Sequence, residues 1–307
     1  MLLCLDGGTT NTRLRLIREH TVCDIEKTNV GSSAKDNSAL KVAVKDMIVR
    51  LLARNGLTEA DIEAILAVGM VTSEFGLYQL PHIYAPAGYT AFHNGMARVM
   101  LPDVSGIPFF FIPGFRNAPD SANMMRGEES ECLGLCSQLG IDRPAAVILP
   151  GSHNKVILFD GEKISACYST ISGELIAAVA GHTILRHCFS LPLPKIFDEG
   201  GLIAGAECAE ENGLTMALIR IRSLSLSGQY SQEYLSSDMV GAILYEDIRA
   251  IRKYSEGLPL VIGGSDPLKS EIAALAKRFL PNEVFVAPAE TAENSSAIGS
   301  VNIYESK

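Results

Sequence analysis

Residues 2–5 form a short apolar run that ends at Asp6 and is followed at once by Gly7 and Gly8. An apolar run that stops at two glycines predicts a buried strand closed by a tight turn. Residues 12–17 alternate between polar and apolar side chains, which predicts a second strand with one buried face. The chain therefore begins with two strands joined by a turn that carries a carboxylate, two glycines and several hydroxyl side chains.

A block of the same order returns in the second half of the chain. Residues 145–149 form an apolar run that ends in a turn of small residues, and two alternating segments then flank Asp160 and Gly161, a strong hairpin signal. A long helix is predicted to follow over residues 173–189. The two blocks agree in pattern and not in residues, and their doubling predicts two related lobes with a cleft between them.

The rest of the chain alternates between strand and helix patterns, which predicts an α/β protein. Further strands are predicted at residues 22–27, 64–70, 109–112, 258–262 and 283–286, and further helices at residues 40–52, 128–139, 267–280 and 290–304. Helical stretches are predicted to fill residues 213–254. Residues 71–107 are rich in Gly, Pro, Tyr and His and have no clean period, which predicts active-site loops with short helices.

The length of 307 residues exceeds what one core usually supports, so more than one domain is expected. We expect an N-terminal lobe over residues 1–142 and a C-terminal lobe over residues 143–290. A closing helix over residues 291–307 is expected to pack back on the N-terminal lobe.

The charge balance limits the kinds of partner. A net charge of −9 argues against nucleic acid or an anionic membrane as the main partner, because such surfaces need a basic face. No run of 18 apolar residues predicts a membrane-spanning helix, and the N-terminus lacks the basic start of a signal peptide. Seven scattered cysteines suit reduced thiols, so a cytoplasmic protein is expected, and a homodimer is left open.

The turn after the first strand is a candidate phosphate site. Its glycines let backbone approach a ligand closely, and its N–H groups and hydroxyls can bind phosphate oxygens. The phosphate-binding candidates here are Gly7, Gly8, Thr9, Thr10 and Asn11. Asp6 can hold Mg²⁺ through water. A plain hairpin is the alternative, although it needs neither the carboxylate nor the hydroxyl run, and the P-loop and Rossmann glycine patterns are absent.

Two glycine turns in the second half are further candidates. Gly151 and Ser152 can approach phosphate closely, while His153 and Lys155 can add donors. The alternative for this segment is a plain turn. A second turn, Gly263, Gly264 and Ser265, leads from a strand into a helix and can border a flat ring or a phosphate, or can be an ordinary loop with a helix cap.

Charged residues before two predicted helices are candidates for acceptor chemistry. Arg126 can grip a carboxylate, and Glu128 or Glu129 can take a proton from a hydroxyl. Acidic residues in the first turn of a helix also complement its dipole, which accounts for one glutamate without any catalysis. Glu174 either caps the helix that follows it or faces a substrate.

Taken in order and spacing, five blocks resemble the 2-dehydro-3-deoxygalactonokinase family over about residues 2–303. The blocks are Asp6 to Arg13, Gly69-Met70-Val71 with Pro81 and Ala85-Pro86-Ala87, Met125 to Glu129, Leu149 to Lys155, and Ser172 to Leu175. The family usually has D-W-G-T-T-N-x-R and P-G-T-H-S-K. Here Gly7 replaces the tryptophan, and Ser152 and Asn154 replace the threonine and serine.

The resemblance implies an actin-like, two-lobed ATPase or sugar-kinase (ribonuclease H-like) fold with a cleft between the lobes. It implies transfer of the ATP γ-phosphate, with Mg²⁺, to the 6-hydroxyl of 2-dehydro-3-deoxy-D-galactonate in galactonate breakdown. Asp6 would serve the metal, Arg13 or Arg126 the carboxylate of the sugar acid, and Glu128 or Glu129 the hydroxyl proton. The glycine turn at residues 263–265 would border the adenosine.

Three alternatives stay open. The first is an actin-like kinase for another small acceptor, such as a different sugar acid or an anhydrosugar. The second is a polyphosphate or nucleotide phosphatase of the same fold, which the glutamate pair favours. The third is an ATP-binding module without catalysis.

Overall fold

The computed structural model describes residues 1–32, 36–264 and 268–306. The chain divides into two compact units. Unit 1 comprises Met1–Arg143, Phe159–Cys167 and Glu290–Lys307, and unit 2 comprises Pro144–Leu158 and Tyr168–Ala289. Within the described ranges, the search for a helix long and apolar enough to cross a membrane finds none.

Strands and helices alternate along the chain. The strands are β1 (Leu2–Gly7), β2 (Thr12–Arg18), β3 (Thr21–Thr28), β4 (Ala64–Gly69), β5 (Ile83–Tyr84), β6 (Ala97–Val99), β7 (Phe109–Phe111), β8 (Phe115–Arg116), β9 (Met124–Met125), β10 (Ala145–Leu149), β11 (Lys155–Phe159), β12 (Ile164–Ser169), β13 (Leu260–Ile262) and β14 (Val284–Val286). The helices are α1 (Ser38–Arg54), α2 (Tyr89–Asn94), α3 (Glu128–Leu139), α4 (Ser172–His182), α5 (Glu199–Asn212), α6 (Leu214–Ser227), α7 (Gln232–Ser255), α8 (Leu268–Phe279) and α9 (Ala289–Glu305). Short 3₁₀ turns lie at Glu59–Asp61, Met70–Thr72 and Ile184–His187.

A six-stranded sheet forms the centre of unit 1, with strand order β3-β2-β1-β4-β7-β6. β1 runs antiparallel to β2 and parallel to β4. The register places Asp6 opposite Arg13 on one side and Val68 on the other, and it places Gly7 opposite Gly69. The carboxyl ends of β1 and β4 therefore meet at one edge of the sheet, beside the turn that joins β1 to β2.

The two faces of this sheet differ in chemistry, as the alternation along β1 and β2 predicts. Apolar side chains such as Leu5 and Leu14 pack on one face in a core with Met47 of α1. The opposite face carries Arg15, which donates to the carbonyl oxygen of Glu293 in α9. Arg15 and the Asp6 side chain near the end of β1 thus share the face of the sheet that is turned toward α9.

Small residues let α3 and α9 pack backbone against backbone. A Cβ on Gly134 would lie 1.9 Å from the carbonyl oxygen of Ser295, and one on Gly299 would lie 1.8 Å from that of Ser130. Real side chains do not approach so closely, so glycine is required at both positions. This contact fixes the C-terminal helix beside the helix that begins at Glu128.

Unit 2 combines a parallel strand set with a helical layer. β10 runs parallel to β13 and β13 parallel to β14, in a five-stranded sheet of order β12-β11-β10-β13-β14. α5 and α7 cross closely, since a Cβ on Gly205 would lie 1.9 Å from the carbonyl oxygen of Asp238 and one on Gly241 equally near that of Leu202. The core of unit 2 joins residues from the sheet with residues from these helices, among them Ile148 and Met239.

Several predicted elements differ from the structure. The helix predicted over residues 173–189 ends at His182, because Thr183 is extended (φ −108°, ψ 179°) and its hydroxyl accepts from the N–H of Leu185. The helical stretches predicted over residues 213–254 are α6 and α7, separated where Gly228 adopts the left-handed conformation (φ +68°). The sequence also gave no prediction of α5, or of the short strands β5, β6, β8 and β9.

Candidate active site

The turn between β1 and β2 is closed by backbone contacts, which leave its polar side chains exposed. The N–H of Gly8 donates to the carbonyl oxygen of Asn11 at 2.8 Å, and the N–H of Ser32 donates to that of Gly8 at 3.0 Å. The side chains of Thr9, Thr10 and Asn11 are exposed. The side-chain hydroxyls of this turn are therefore exposed to a ligand.

Asp6 ends β1 beside a buried cation. Its Oδ2 lies 3.5 Å from Nη1 of Arg15, whose side chain is 1% exposed against 22% for Asp6. Arg15 is held in turn by its Nη2, which donates to the carbonyl oxygen of Glu293 at 2.9 Å. Arg15 was not predicted as a site residue from the sequence. Its position two residues after Arg13, on the same face of a predicted strand, could have indicated it.

Two glycines bring the start of α3 against the end of β1. Gly69 has φ +83°, and a Cβ on it would lie 2.4 Å from the carbonyl oxygen of Gly7 and 3.4 Å from Oδ1 of Asp6. Gly127 has φ +113°, and its Cβ would lie 3.1 Å from the Cα of Gly69. The structure therefore brings the Arg126–Glu129 block next to Asp6, as a shared site requires.

The two glutamates that begin α3 have different surroundings. Glu128 is partly exposed, and its Oε2 accepts from the N–H of Arg126 at 2.9 Å. Glu129 is fully buried, and its carboxyl oxygens accept from the N–H of Gly127 at 2.8 and 2.9 Å. Burial and the neighbouring charge of Glu128 raise the pKa of Glu129 to about 8. Glu129 is thus a largely protonated group closed off from ligand, whereas Glu128 remains accessible.

A third glutamate, Glu131, completes this acidic group. Its side chain is mostly covered by protein. That burial, followed by the charges of Asp6 and Glu128, raises the pKa of Glu131 to about 8. Glu131 was not among the residues predicted from the sequence, although it lies three residues after Glu128 and so on the same face of α3.

The guanidinium of Arg126 donates hydrogen bonds to other residues of the protein. Nη1 donates to the carbonyl oxygen and the hydroxyl of Thr72 at 2.7 and 2.6 Å, and Nη2 donates to the carbonyl oxygen of Leu80 at 3.1 Å. Nη2 also lies 3.1 Å from Nε2 of His82. Burial and the nearby charges of Arg126 and Arg116 lower the pKa of His82 to about 4, so its neutral ring serves as an acceptor. Arg126 therefore ties down the segment from Thr72 to His82.

Arg13 is the second arginine that the sequence offers for a substrate carboxylate. It is exposed on β2, opposite Asp6 in the register of the sheet. Its positive charge favours the ionised form of the Glu131 and Glu293 carboxyl groups. Arg13 thus combines exposure with a position beside Asp6.

A cavity of about 290 Å³ opens beside the hydroxyls of Thr9 and Thr10. It extends toward the start of α1, and its lining is completed by Asn29, Val30, Gly31, Asp36, Asn37, Ala39, Leu40 and Phe75. Its amide and hydroxyl groups suit a polar ligand better than an apolar one.

The second candidate turn, in unit 2, is fixed by polar contacts. The N–H of Gly151 donates to Oδ1 of Asn154 at 2.8 Å, and the N–H of Glu174 donates to the carbonyl oxygen of Ser152 at 3.1 Å. Nε2 of His153 lies 3.0 Å from Oε1 of Glu174. Gly151, Ser152, His153 and Glu174 are thus brought together, with the side chains of His153 and Glu174 exposed.

The remaining candidates of unit 2 are placed differently. Lys155 belongs to β11 and is buried, with 5% of its surface exposed, so its ammonium does not extend into solvent beside the turn. Gly263 donates its N–H to the carbonyl oxygen of Ile148 at 2.9 Å. Gly264 has φ +73°, and a Cβ there would lie 2.9 Å from Cδ of Pro150, so this glycine lies against the second turn. Ser265 lies outside the described residues.

Asp247, which contacts the second turn through Asn154, was not predicted as a site residue from the sequence. Asp247 of α7 accepts from Nδ2 of Asn154 at 3.0 Å, across 93 residues of sequence. No local pattern around Asp247 marks it, because an acid in a long helix ordinarily lies on a solvated face.

Comparison with known proteins shows which family these features belong to. The sequence profile of the 2-keto-3-deoxy-galactonokinase family matches residues 6–294. An Escherichia coli (strain K12) protein named 2-dehydro-3-deoxygalactonokinase is 22% identical over 268 residues, which cover 86% of this chain and 85% of that relative.

Solved structures agree on the fold. A Sinorhizobium meliloti protein that bears the name of the same kinase superposes with a TM-score of 0.80 at 21% identity, over 99% of this chain and 95% of that chain. The activator of 2-hydroxyisocaproyl-CoA dehydratase from Clostridium difficile superposes with a TM-score of 0.54 at 13% identity, over 98% of this chain and 92% of its own. The chain therefore shares the fold of these two proteins. Because the family profile spans nearly the whole sequence, the chain belongs to the 2-keto-3-deoxy-galactonokinase family.

Proposed function

We propose that the protein transfers the γ-phosphate of ATP to the 6-hydroxyl of 2-dehydro-3-deoxy-D-galactonate, in galactonate breakdown. The family and the name of the Escherichia coli relative support the activity. Use of ATP is supported by the activator from Clostridium difficile, which was solved with bound ADPNP. The observation that carries the proposal is the convergence of Asp6, Gly69 and Gly127 beside the exposed hydroxyls of Thr9 and Thr10.

The end of β1 fits a magnesium ion that keeps much of its water. Oδ2 of Asp6 faces Arg15, whereas Oδ1 lies on the side of Gly69, and the carboxylate is partly exposed. One carboxylate is enough for an ion held mainly by water and by phosphates of the substrate. When bound, the ion would neutralise charge on the transferring phosphate.

Both candidate turns would bind phosphate of ATP. In the proposal, the turn formed by Gly7, Gly8, Thr9, Thr10 and Asn11 binds the β- and γ-phosphates. Gly151, Ser152 and His153 form the second phosphate-binding turn, and Gly263 and Gly264 border the adenosine. Phosphoryl transfer needs such positioning and charge neutralisation more than covalent help.

The acceptor hydroxyl needs a base that can reach it. Glu128 is partly exposed, whereas Glu129 is fully buried, which keeps the Glu129 carboxyl away from substrate. We therefore propose that Glu128 accepts the proton of the acceptor hydroxyl and that Asp6 helps to activate that hydroxyl. Glu129 instead fixes the start of α3. The carboxylate of the sugar acid is assigned to Arg13, because Arg126 already donates to Thr72 and Leu80.

A kinase assay over a panel of 2-keto-3-deoxy sugar acids tests this function. The proposal predicts ATP-dependent phosphorylation with the galactonate-derived acid as the best acceptor. A different best acceptor would move the substrate assignment, and phosphate release from ATP without any acceptor would favour a phosphatase instead. Since the proposed reaction draws on cellular ATP, it also implies a cytoplasmic location.

A further inference from the structure

We infer that Asp247 is a positioning residue for the second phosphate turn, and that it acts on ATP through Asn154. The inference rests on the proposed function, in which the turn at Gly151 and Ser152 binds phosphate. Asp247 belongs to α7, so a helix of the unit 2 core would set the geometry of a ligand-binding turn.

Two donors converge on one oxygen of Asp247. Nδ2 of Asn154 donates to Oδ1 at 3.0 Å, and the hydroxyl of Thr170 donates to the same atom at 2.5 Å. The hydroxyl of Ser172 lies 3.3 Å from that of Thr170, which extends the network to the start of α4. Asp247 thus ties the strand side of the turn to the helix that follows β12.

Asn154 passes this constraint on to the turn itself. While its Nδ2 is held by Asp247, its Oδ1 accepts from the N–H of Gly151 at 2.8 Å. The orientation of the amide is therefore decided by both contacts, since an amide has one donor side and one acceptor side. Without Asp247 the amide of Asn154 would lose the partner that orients it, and the backbone at Gly151 would lose its fixed position.

The backbone on the far side of the turn is equally tight. A Cβ on Gly173 would lie 2.2 Å from the carbonyl oxygen of Gly151 and 2.8 Å from the Cα of Ser152. The turn is therefore confined between the start of α4 and the amide of Asn154. A shift of the Asn154 amide would therefore act on Gly151 first, through the hydrogen bond from its N–H.

Burial of the Asp247 carboxyl group costs free energy. Its surface is 2% exposed, and burial raises its pKa, while the hydroxyls of Ser172 and Thr170 and the amide of Asn154 oppose that rise. Its Oδ2 accepts no hydrogen bond of good geometry from the described residues. A buried polar atom without a partner is destabilising, and such atoms are uncommon in folded proteins. The contacts of Asp247 to Asn154 and Thr170, which orient the turn, account for an acid at this position.

Five variants and a matched control test the inference. Asp247→Ala removes the acceptor and should raise the KM for ATP about tenfold, while the KM for the sugar acid stays within about twofold. Asp247→Asn keeps an oxygen for Asn154 and Thr170, so its KM for ATP should stay within about threefold of wild type. Asn154→Ala should match Asp247→Ala, and the double variant should be no worse, because the two residues act in one chain. Thr170→Val removes one donor and should shift the KM for ATP in the same direction by less, which keeps the test usable if Asp247→Ala does not fold.

The control is Asp238→Asn in the same helix. Asp238 is fully buried and pairs with Arg220, and it lies nine residues before Asp247 in sequence, away from the network around Asn154. Its variant should lower the melting temperature without changing the KM for ATP. If Asp247→Ala behaved like this control, with lower stability and a normal KM for ATP, the inference would be wrong.

Direct ATP binding by titration calorimetry separates this inference from the proposed function. If the wild type phosphorylates no sugar acid, yet Asp247→Ala binds ATP about tenfold more weakly than wild type, the function is wrong and the inference stands. If the sugar acid is phosphorylated and ATP binding is the same in both proteins, the inference is wrong and the function stands. Absence of ATP binding by the wild type would overturn both.

Discussion

Arg15 places its Nη1 3.5 Å from Oδ2 of Asp6, while its Nη2 donates to the carbonyl oxygen of Glu293 at 2.9 Å. The carboxylate at the end of β1 is therefore oriented by a buried cation that is itself fastened to α9. A guanidinium can make both contacts because its donors form a rigid fork, which an ammonium group lacks. The orientation of Asp6 depends on the C-terminal helix as well as on its own strand.

Arg15→Lys should lower kcat about tenfold, with both KM values within about threefold of wild type, because the lysine cannot hold Asp6 and the Glu293 carbonyl together. Steady-state kinetics measure this. Arg18→Lys, an exposed change in the same strand, is the control and should leave kcat unchanged. A normal kcat in Arg15→Lys would show that the reaction does not depend on orientation of the Asp6 carboxylate by Arg15.

Gly127→Ala should destabilise the protein and slow the reaction. Its φ of +113° is strained for any side chain, and the new Cβ would lie 3.1 Å from the Cα of Gly69. We expect the free energy of unfolding in urea to fall by about 1–3 kcal/mol, and kcat to fall with it as Glu128 shifts. Gly140→Ala, at the other end of α3, has open space around its Cβ and a left-handed φ of +64°. It should cost about 1 kcal/mol and leave kcat unchanged; equal kcat losses in both variants would contradict the account.

Glu129 makes stability depend on pH. Its pKa is about 8 in the folded protein against 4.5 ordinarily, so the folded state keeps a proton that the unfolded chain releases between these values. Stability should therefore fall as pH rises from 4.5 to about 8. Glu129→Gln removes this titration and should flatten the fall in melting temperature over that window, although Glu131 keeps part of it.

The matched control for this pH series is Glu290→Gln, an exposed acid in the first turn of α9. It should keep the wild-type slope. Identical slopes for wild type and Glu129→Gln would mean that the Glu129 carboxyl is charged throughout the window.

Substitution of Arg13 should weaken binding of the sugar acid, whereas substitution of Arg126 should lower the stability of the protein. Arg13→Lys should raise the KM for the sugar acid about tenfold and leave the KM for ATP within about twofold, with an unchanged melting temperature. Arg126→Lys loses the contacts to Thr72 and Leu80 and should lower the melting temperature by several degrees, while the KM for the sugar acid stays within about threefold. The reverse pattern would return the carboxylate of the substrate to Arg126.

Local patterns were sufficient for the elements that begin each unit. The period-two alternation of β2 and the glycines after β1 predicted that hairpin, and α3 was predicted with the bounds Glu128–Leu139 that it has in the structure. Such elements carry their own hydrophobic period and their own stop signals, so distant parts of the chain are not needed to identify them.

Contacts between distant residues could not be predicted in the same way. Nothing near Arg15 in sequence indicates Glu293, and nothing near Asn154 indicates Asp247. The two-residue strand β9 is defined by its pairing with β8, not by a period of its own. The assignment of Arg126 to the substrate failed to anticipate Thr72, 54 residues earlier, as the acceptor of its donors.

The most direct test of the account is the turnover of Asp6→Asn with ATP, Mg²⁺ and 2-dehydro-3-deoxy-D-galactonate. The amide keeps the size of the side chain and removes the charge that the metal and the transferring phosphate depend on. We predict a loss of about a hundredfold or more in kcat, since one well-placed charged group is worth several kcal/mol in a transition state. ATP binding measured without Mg²⁺ should change little. Near-normal turnover in Asp6→Asn would contradict the central claim that the carboxylate at the end of β1 drives phosphoryl transfer.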